Sequence, residues 1–303
     1  MISLRARLVR FLAKQYFRRV RPDVDPQVLR QSFEKIATRL PPARRVRVIP
    51  ASIAGIDCEW LVPRGSEDAP VLYYLHGGAY VMGSSRTHRR LVSFIARAAR
   101  VRALMPNYRL APEHRFPAGL TDACTVYRRL LAQGLDPAQI AIGGDSAGGG
   151  LAMATILKLR DDGARLPACA VLLSPWLDLT GSGESMQTRA GLDPLFRAAD
   201  MPATADHYCN TNELRNPLVS PLYSDVHNLP PVFIQVGDHE ILLSDSTRFS
   251  DRLSAAGSGI TLQTWPDMWH VFQFFIGQMP ESGRAVREIA QFLRHKMRTP
   301  SPG

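Results

Sequence analysis

The stretch IAIGGDSAGGGLAMATILKLR, Ile140–Arg160, leads an apolar segment directly into the motif GDSAG at positions 144–148 and then into a second apolar segment. The first segment predicts a buried strand, and apolar residues repeat at helical spacing in the second. Glycines two positions to each side of Ser146 let the strand and the helix pass closely without Cβ clashes. The stretch therefore predicts a sharp strand-to-helix turn that exposes the hydroxyl of Ser146, as a nucleophilic serine requires.

A glycine-rich loop follows another predicted strand. The apolar run 71–75 ends in His76, Gly77 and Gly78, and such loops present backbone N–H groups toward a developing oxyanion. With the N–H of Ala147, those of Gly77 and Gly78 are predicted to surround one oxygen, each contributing about 3–4 kcal/mol in the transition state.

A serine of normal acidity needs a base, and His270 is the best candidate among the eight histidines. It lies in the loop after the apparent last strand, 260–264, where open α/β sheets place their ligands. His76 is expected to support the oxyanion loop. Most of the other histidines have polar neighbours in sequence and are expected at the surface: His88, His114, His207, His227, His239 and His295.

The acid that orients the base should follow the preceding strand, 231–236. Three carboxylates are within reach there, Asp238, Glu240 and Asp245. Asp245 also has the position of a residue that complements the dipole of the next helix. The order serine, acid, histidine is that of an α/β-hydrolase.

Five separated motifs together resemble those of the bacterial hormone-sensitive-lipase-like carboxylesterases. They are HGGAY from His76, NYRLAPEHRFPA from Asn107, GDSAGG from Gly144, SPWLDLT from Ser174 and MWHVF from Met268. They occur in the family's order and cover about residues 70 to 290.

The resemblance implies roles for single residues. Ser146 resembles the family's nucleophile, His270 its base, and Gly77, Gly78 and Ala147 its oxyanion donors. Most members carry an aspartate in D-P-L-x-D, whereas here the frame carboxylate-x-Leu falls on Glu240, as in a branch that uses glutamate. Asn107 replaces a usual aspartate, and this change is expected to alter structural hydrogen bonds more than chemistry.

The implied activity is hydrolysis of short-to-medium acyl esters through an acyl-enzyme, with no cofactor and no metal. Lactone, carbamate or amide hydrolysis on the same triad is the alternative. A hydrolase fold that binds a small molecule without catalysis is less favoured, since Ser146, His270 and the acid candidates are all present.

Composition is that of a globular domain. The chain has 303 residues, 45% hydrophobic and 21% charged, which suits one core that buries about 75% of the unfolded surface. The four cysteines are scattered without a C-x-x-C pair, so reduced thiols and a cytoplasmic location are expected: Cys58, Cys124, Cys169 and Cys209.

The net charge of +10 raises the question of anionic partners. Basic residues are spread along the chain without a nucleic-acid-binding signature, so no nucleic acid partner is expected. Residues 1–20 predict a basic amphipathic helix, and their arginines interrupt every possible signal-peptide core. We expect this helix to pack its apolar face, Leu4, Leu8, Leu12 and Tyr16, over the active-site mouth, and peripheral membrane contact is the less favoured alternative.

The remaining chain alternates strands and helices, which predicts an α/β-hydrolase fold with a mostly parallel eight-stranded sheet, flanking helices and a helical cap. The predicted strands are 44–49, 56–63, 71–75, 101–106, 139–143, 168–173, 231–236 and 260–265. The predicted helices are 22–40, 87–100, 119–133, 147–161, 244–256 and 281–298.

Alternation stops between 181 and 228, which indicates an insertion above the strand ends. The predicted organisation is N-terminal cap helices in 1–42, hydrolase core in 43–180, a cap insertion in 181–228 and core again in 229–303. The edge strand 260–265 makes a homodimer possible.

Overall fold

The computed structural model describes residues 2–17 and 24–297. Its strands form one sheet in the order β1-β2-β4-β3-β5-β6-β7-β8. They are β1 (Val46–Ile53), β2 (Ile56–Pro63), β3 (Val71–Leu75), β4 (Arg102–Pro106), β5 (Ile140–Asp145), β6 (Cys169–Leu173), β7 (Val232–Gly237) and β8 (Ile260–Trp265). The predicted eight-stranded sheet is thus confirmed.

The helices follow the predicted alternation, with ends shifted by one or two residues in the core. They are α1 (Leu4–Phe17), α2 (Pro26–Ala37), α3 (Ser85–Ala99), α4 (Ala118–Ala132), α5 (Ala147–Asp161), α6 (Ser185–Thr188), α7 (Met201–Tyr208), α8 (Leu243–Ala255) and α9 (Pro280–Lys296). The predicted helix 22–40 begins outside the described residues, and the tail after Arg298 lies wholly outside them.

The sheet is antiparallel at one edge and parallel elsewhere. β1 pairs antiparallel with β2, and β2 pairs antiparallel with β4. Every pair from β4 through β3, β5, β6 and β7 to β8 is parallel. Parallel strands end at the same edge, so the loops after β3, β5, β6, β7 and β8 meet there.

Side chains of the central strands alternate between two apolar layers. In β3, Tyr73 packs into the layer that contains α4, α5 and α8, while Leu72 and Tyr74 pack into the layer that contains α3 and α9. All residues of β3, β5, β6 and β7 are buried. This double cover explains why these strands are continuous apolar runs in sequence.

Two segments cover the carboxyl edge of the sheet. The N-terminal segment, with α1 and α2, precedes β1, and the insertion 181–228 contains α6 and α7 with short 3₁₀ turns. Residues of both segments line the cavities above the strand ends. Among residues 2–17 and 24–297, no helix combines the length and apolarity needed to cross a bilayer.

The orientation of α1 differs from the prediction. Its small residues Ala6 and Ala13, with Val9, face inward, and a small cluster around Trp269 receives Ala6 and Val9. The large residues face solvent, with exposed fractions of 57–80%: Leu4, Leu8, Phe11 and Leu12. The expectation is therefore wrong for Leu4 and Leu8, whereas Leu12 and Tyr16 border the cavity beside Ser146 as expected. The contacts of Ala6 and Val9 with this cluster set the rotation of α1 and leave Leu4 and Leu8 pointing outward.

Candidate active site

The turn at Ser146 has the strained backbone that the sequence predicts. Ser146 lies between β5 and α5 with φ 55° and ψ −126°, a conformation that L-residues rarely adopt. A Cβ on Gly144 would overlap the carbonyl of Gly148, and one on Gly148 would overlap those of Leu75 and His76. The two glycines are therefore required by close backbone approach. Ser146 itself borders both of the cavities at this edge.

His270 and Glu240 form a buried pair in the loops after β8 and β7. His270 Nδ1 donates to Glu240 Oε2 over 2.8 Å, and the two side chains are 3% and 0% exposed. Because Nδ1 carries the proton, Nε2 is the nitrogen left to accept one. Nε2 is buried and has no hydrogen-bond partner in the described part of the chain. His270 and Ser146 line the same cavity.

The second oxygen of Glu240 is held from two sides. Oε1 accepts from the Ser174 hydroxyl over 2.8 Å and from the Gly237 N–H over 2.5 Å. The Ser174 hydroxyl also accepts from the Val271 N–H, 3.0 Å away, directly after His270. Ser174 thus connects the acid to the loop that carries the base. In the sequence Ser174 stands at the start of SPWLDLT, and its position directly after β6 is the one local sign of a role at the site.

The two rival carboxylates lie elsewhere. Asp238 is 3.9 Å from His239 and makes no contact with His270. Asp245 is fully buried in the first turn of α8, where its Oδ2 accepts from the N–H groups of Leu177 and Asp178. Burial, followed by the charge of Asp178, raises the pKa of Asp245 to about 8. Asp245 thus has the predicted place in the first turn of the helix, and its carboxyl also binds the loop after β6.

The glycine-rich loop corrects the predicted oxyanion site. The N–H of Gly77 donates to Asp145 Oδ1 over 3.1 Å, and Gly77 lines neither cavity. Gly78 and Ala79 border the cavity that contains His270. The prediction that Gly77 presents its N–H to substrate is therefore wrong in this structure, because Asp145 already binds that group. The N–H groups of Gly78 and Ala79 make no hydrogen bond to other described residues.

Asp145 is the centre of a buried polar network that the sequence analysis missed. Besides Gly77, it accepts from the Tyr74 hydroxyl over 2.8 Å and lies 3.2 Å from His88 Nε2. Burial opposes its charge, but His88 and the hydrogen bonds outweigh burial, and the pKa of Asp145 is lowered. His88 was expected at the surface, yet it is 2% exposed, because it anchors the N-terminal end of α3 to Asp145.

His76 has the predicted supporting position. Its Nδ1 lies 2.9 Å from the carbonyl of Gly77, and its ring stacks on Tyr108 with centroids 4.3 Å apart. Burial lowers the pKa of His76 to about 3, so the ring is neutral at physiological pH. Asn107, at the position of the usual aspartate, accepts the Ser85 N–H at the start of α3 over 2.8 Å. This contact is structural, as predicted.

Two cavities flank Ser146. The first, about 300 Å³, contains polar and charged side chains on one wall, including Asp193, Arg197 and His207. The second, about 260 Å³, is walled mainly by apolar residues of α1, α2 and the loop after β8. Two unequal cavities meeting at one hydroxyl suit a substrate with two dissimilar arms.

The insertion contacts the His270–Glu240 pair directly. The ring of Phe196 meets His270 edge to face, with centroids 4.7 Å apart. Asp193 accepts from the N–H groups of Leu195 and Phe196 and, through its other oxygen, from that of Ile241 next to Glu240. Burial raises the pKa of Asp193 to about 6. The insertion is thus tied to the loop that holds the acid.

No group of three or more His, Cys, Asp or Glu side chains in residues 2–17 and 24–297 is placed to hold a metal ion. The polar groups at the site instead pair with one another. Their arrangement provides a hydroxyl, a base held by an acid, and free backbone N–H groups at one cavity.

Comparison with known proteins assigns the class. Residues 72–274 match the model of the alpha/beta hydrolase fold family. An acetyl-hydrolase of Streptomyces hygroscopicus is 42% identical over 236 residues, which cover 78% of this chain and 79% of the relative. An esterase of Acinetobacter venetianus is 35% identical over 269 residues, 88% of each chain.

A solved structure gives the branch of the family. An esterase from the bacterial hormone-sensitive lipase (HSL) family superposes with a TM-score of 0.94 at 41% identity, covering 98% of this chain and all of that one. The chain has the α/β-hydrolase fold. It belongs to the bacterial hormone-sensitive-lipase-like carboxylesterases, a family of ester hydrolases, which confirms the resemblance seen in the sequence.

Proposed function

We propose that the protein is a serine carboxylesterase that hydrolyses short-to-medium acyl esters through an acyl-enzyme. The supporting observation is the buried His270 whose Nδ1 donates to Glu240 while its Nε2 stays unpaired at the cavity of Ser146. A base oriented in this way accepts a proton on the nitrogen that faces the nucleophile.

In the first step His270 Nε2 takes the proton of Ser146 as the hydroxyl oxygen attacks the ester carbonyl. Glu240 stabilises the imidazolium that forms. We assign the oxyanion donors to Gly78, Ala79 and Ala147, since Gly77 is bound to Asp145. Ala147 is the first residue of α5, so its N–H has no partner within the helix.

Collapse of the tetrahedral intermediate breaks the bond to the alcohol, which leaves with the proton from His270. Water then repeats the sequence on the acyl-enzyme, with His270 first as base and then as acid. No further reactant enters these steps, so the proposal includes neither a metal nor a cofactor.

The N-terminal segment and the insertion form the proposed cap, since both line the cavities. Cavities of about 300 and 260 Å³ are at the small end of the range for small-molecule sites, which favours compact acyl and alcohol groups.

The cytoplasm is the location that we propose for the protein. Burial raises the thiol pKa of all four cysteines, to about 12 for Cys58 and about 11 for Cys124, so they are poor nucleophiles for disulfide exchange.

The test is a panel of p-nitrophenyl esters from acetate to palmitate, with organophosphate labelling mapped by mass spectrometry. We expect the highest kcat/KM at short-to-medium chains and a label on Ser146. A label on another serine, or absence of turnover across the panel, would overturn the proposal. Matched lactone, carbamate and anilide substrates test the alternative activities, and a higher kcat/KM on one of these would replace the ester assignment.

A further inference from the structure

The outward face of α1 is an apolar surface that the proposed function does not use. Seven of the nine large apolar residues that are strongly exposed among the described residues fall between positions 4 and 40, and four of them are on α1. The four recur at helical spacing and form one stripe: Leu4, Leu8, Phe11 and Leu12. We call this stripe the α1 outer face.

The helix is firmly attached by its opposite side, so exposure of this face is built into the fold. Glu281 on α9 accepts from the N–H and the hydroxyl of Ser3, at 2.7 and 3.0 Å. Arg10 donates to the carbonyl of Leu192 over 2.7 Å. Ala6 and Val9 pack into the cluster around Trp269. Rotating α1 to bury its large residues would break all of these contacts.

The charges carried by α1 itself have one sign, and Asp267 from the loop after β8 lines the surface depression beside Phe11. Residues 1–22 contain seven arginines and lysines and no aspartate or glutamate. Arg5, Arg7 and Lys14 are exposed, and within the described residues their side chains form no ion pair. A second copy of this chain would bring like charges together at such a face. An anionic lipid surface supplies both the apolar phase and the opposite charge.

We propose that the α1 outer face docks the protein peripherally on anionic lipid bilayers, with the helix lying in the interface plane. Leu12 of the α1 outer face borders the cavity beside Ser146 together with Ala13, Tyr16 and Phe17 of the same helix. Docking therefore brings the cavity mouth to the lipid. The substrates expected at such a surface are esters that partition into the membrane. This assignment of substrates rests on the proposed esterase function.

The test measures co-sedimentation with vesicles of phosphatidylcholine alone and with 30% phosphatidylglycerol, at about 50 and 500 mM NaCl. We expect binding to the anionic vesicles that weakens at high salt, because salt screens charges at a surface. The triple variant L4Q/L8Q/F11Q should bind at least about tenfold more weakly, while its turnover of soluble p-nitrophenyl butyrate stays within about twofold and reports an intact fold.

The electrostatic part has its own matched pair of variants. R5E/R7E should weaken binding at least about tenfold, since each basic residue near an anionic surface contributes about a fivefold factor. R64E/R129E makes the same change in net charge at exposed arginines on other elements and should bind like wild type. Equal losses in the two variants would mean that net charge alone attracts the protein, and the assignment to α1 would be wrong.

Absence of wild-type binding to anionic vesicles would also overturn the proposal. So would sedimentation of the wild type as a dimer that L4Q/L8Q/F11Q converts to a monomer, because the face would then be a protein interface. Vesicle binding requires no ester turnover. An inactive protein that binds vesicles would therefore contradict the proposed function and leave the docking proposal standing.

Discussion

The carboxyl edge of the sheet and helix α1 use their side chains in opposite ways. At the edge, Glu240 is fully buried and both of its oxygens are bound, while on α1 the small residues are inside and the large apolar ones outside. The edge is constrained because its loops begin directly at the ends of packed parallel strands. Helix α1 precedes β1, and its position is set by the packing of its inner face and by the hydrogen bonds of Ser3 and Arg10.

This difference separates chemistry from access. Substitutions at the edge should change the rate of the chemical step, whereas substitutions on the covering segments should change which substrates reach it. Mutations in the two regions should therefore differ in which kinetic constant they change, and the largest effect is expected at the nucleophile.

Replacing Ser146 with alanine should lower kcat by at least about 10³-fold, as removal of a triad nucleophile does. The fold should persist, because serine and alanine both carry a Cβ and the backbone strain at φ 55° is the same for either residue. Steady-state turnover of p-nitrophenyl butyrate and a thermal melt measure the two effects. Activity within tenfold of wild type would show that the reactive serine lies elsewhere.

Replacing Glu240 with glutamine should lower kcat by about 10²–10⁴-fold with little change in KM, since the charge that stabilises protonated His270 is lost. Asp238→Asn is the matched control and should cost less than about tenfold, because Asp238 does not contact His270. If Asp238→Asn lowers kcat more than Glu240→Gln does, the triad acid is Asp238 and the assignment to Glu240 is wrong.

Replacing Ser174 with alanine should lower kcat by about tenfold, because a charged hydrogen bond to Glu240 and an acceptor for the Val271 N–H are lost together. KM should stay within about twofold, as expected for a residue that positions the acid without touching substrate. An unchanged kcat would show that Gly237 alone suffices to hold Glu240.

Replacing Phe17 with alanine should alter access more than chemistry. Phe17 borders both cavities, so its loss should raise KM several-fold or shift the preferred acyl length, with kcat on acetate within about twofold. Leu8→Ala, on the outer face of the same helix, serves as the control and should leave the acyl-length profile unchanged. A fall in kcat without a change in profile would contradict the separation of access from chemistry.

Asp245→Asn should change activity by less than about tenfold, and its main consequence should appear in stability. The folded-state pKa of Asp245 is raised from 3.8 to about 8, so the folded protein binds more protons between these values than the unfolded chain. Wild-type stability from this group therefore decreases as pH rises from about 4 to 8. The neutral asparagine avoids this loss.

Melting temperatures of wild type and Asp245→Asn at pH 5, 6, 7 and 8 test the sign. The variant should gain stability relative to wild type with each step upward, and contributions of other groups cancel in the difference. A difference that is constant with pH would mean that Asp245 is ionised in the folded protein across the range.

Much of this protein was predictable because its strands are buried on both faces. The sheet was predictable from the apolar runs at β3, β5, β6 and β7, which alternate with helical segments. The turn was predictable from the glycines around Ser146. Both patterns are local in sequence. The sequence also placed His270 in the loop after β8. The three carboxylates after β7 remained open on the residues alone, and the family resemblance favoured Glu240 among them.

Tertiary contacts decided the rest. Which N–H of the glycine-rich loop is free depends on Asp145, 68 positions further along the chain, whose carboxylate binds Gly77. His88 is buried for the same reason, although its sequence neighbours are polar. The face of α1 that points inward is set by contacts with distant parts of the chain, which Ser3 makes with Glu281 and Ala6 and Val9 make with the cluster around Trp269. Sequence periodicity locates an apolar stripe, but only the shape of its neighbour determines whether the stripe is covered.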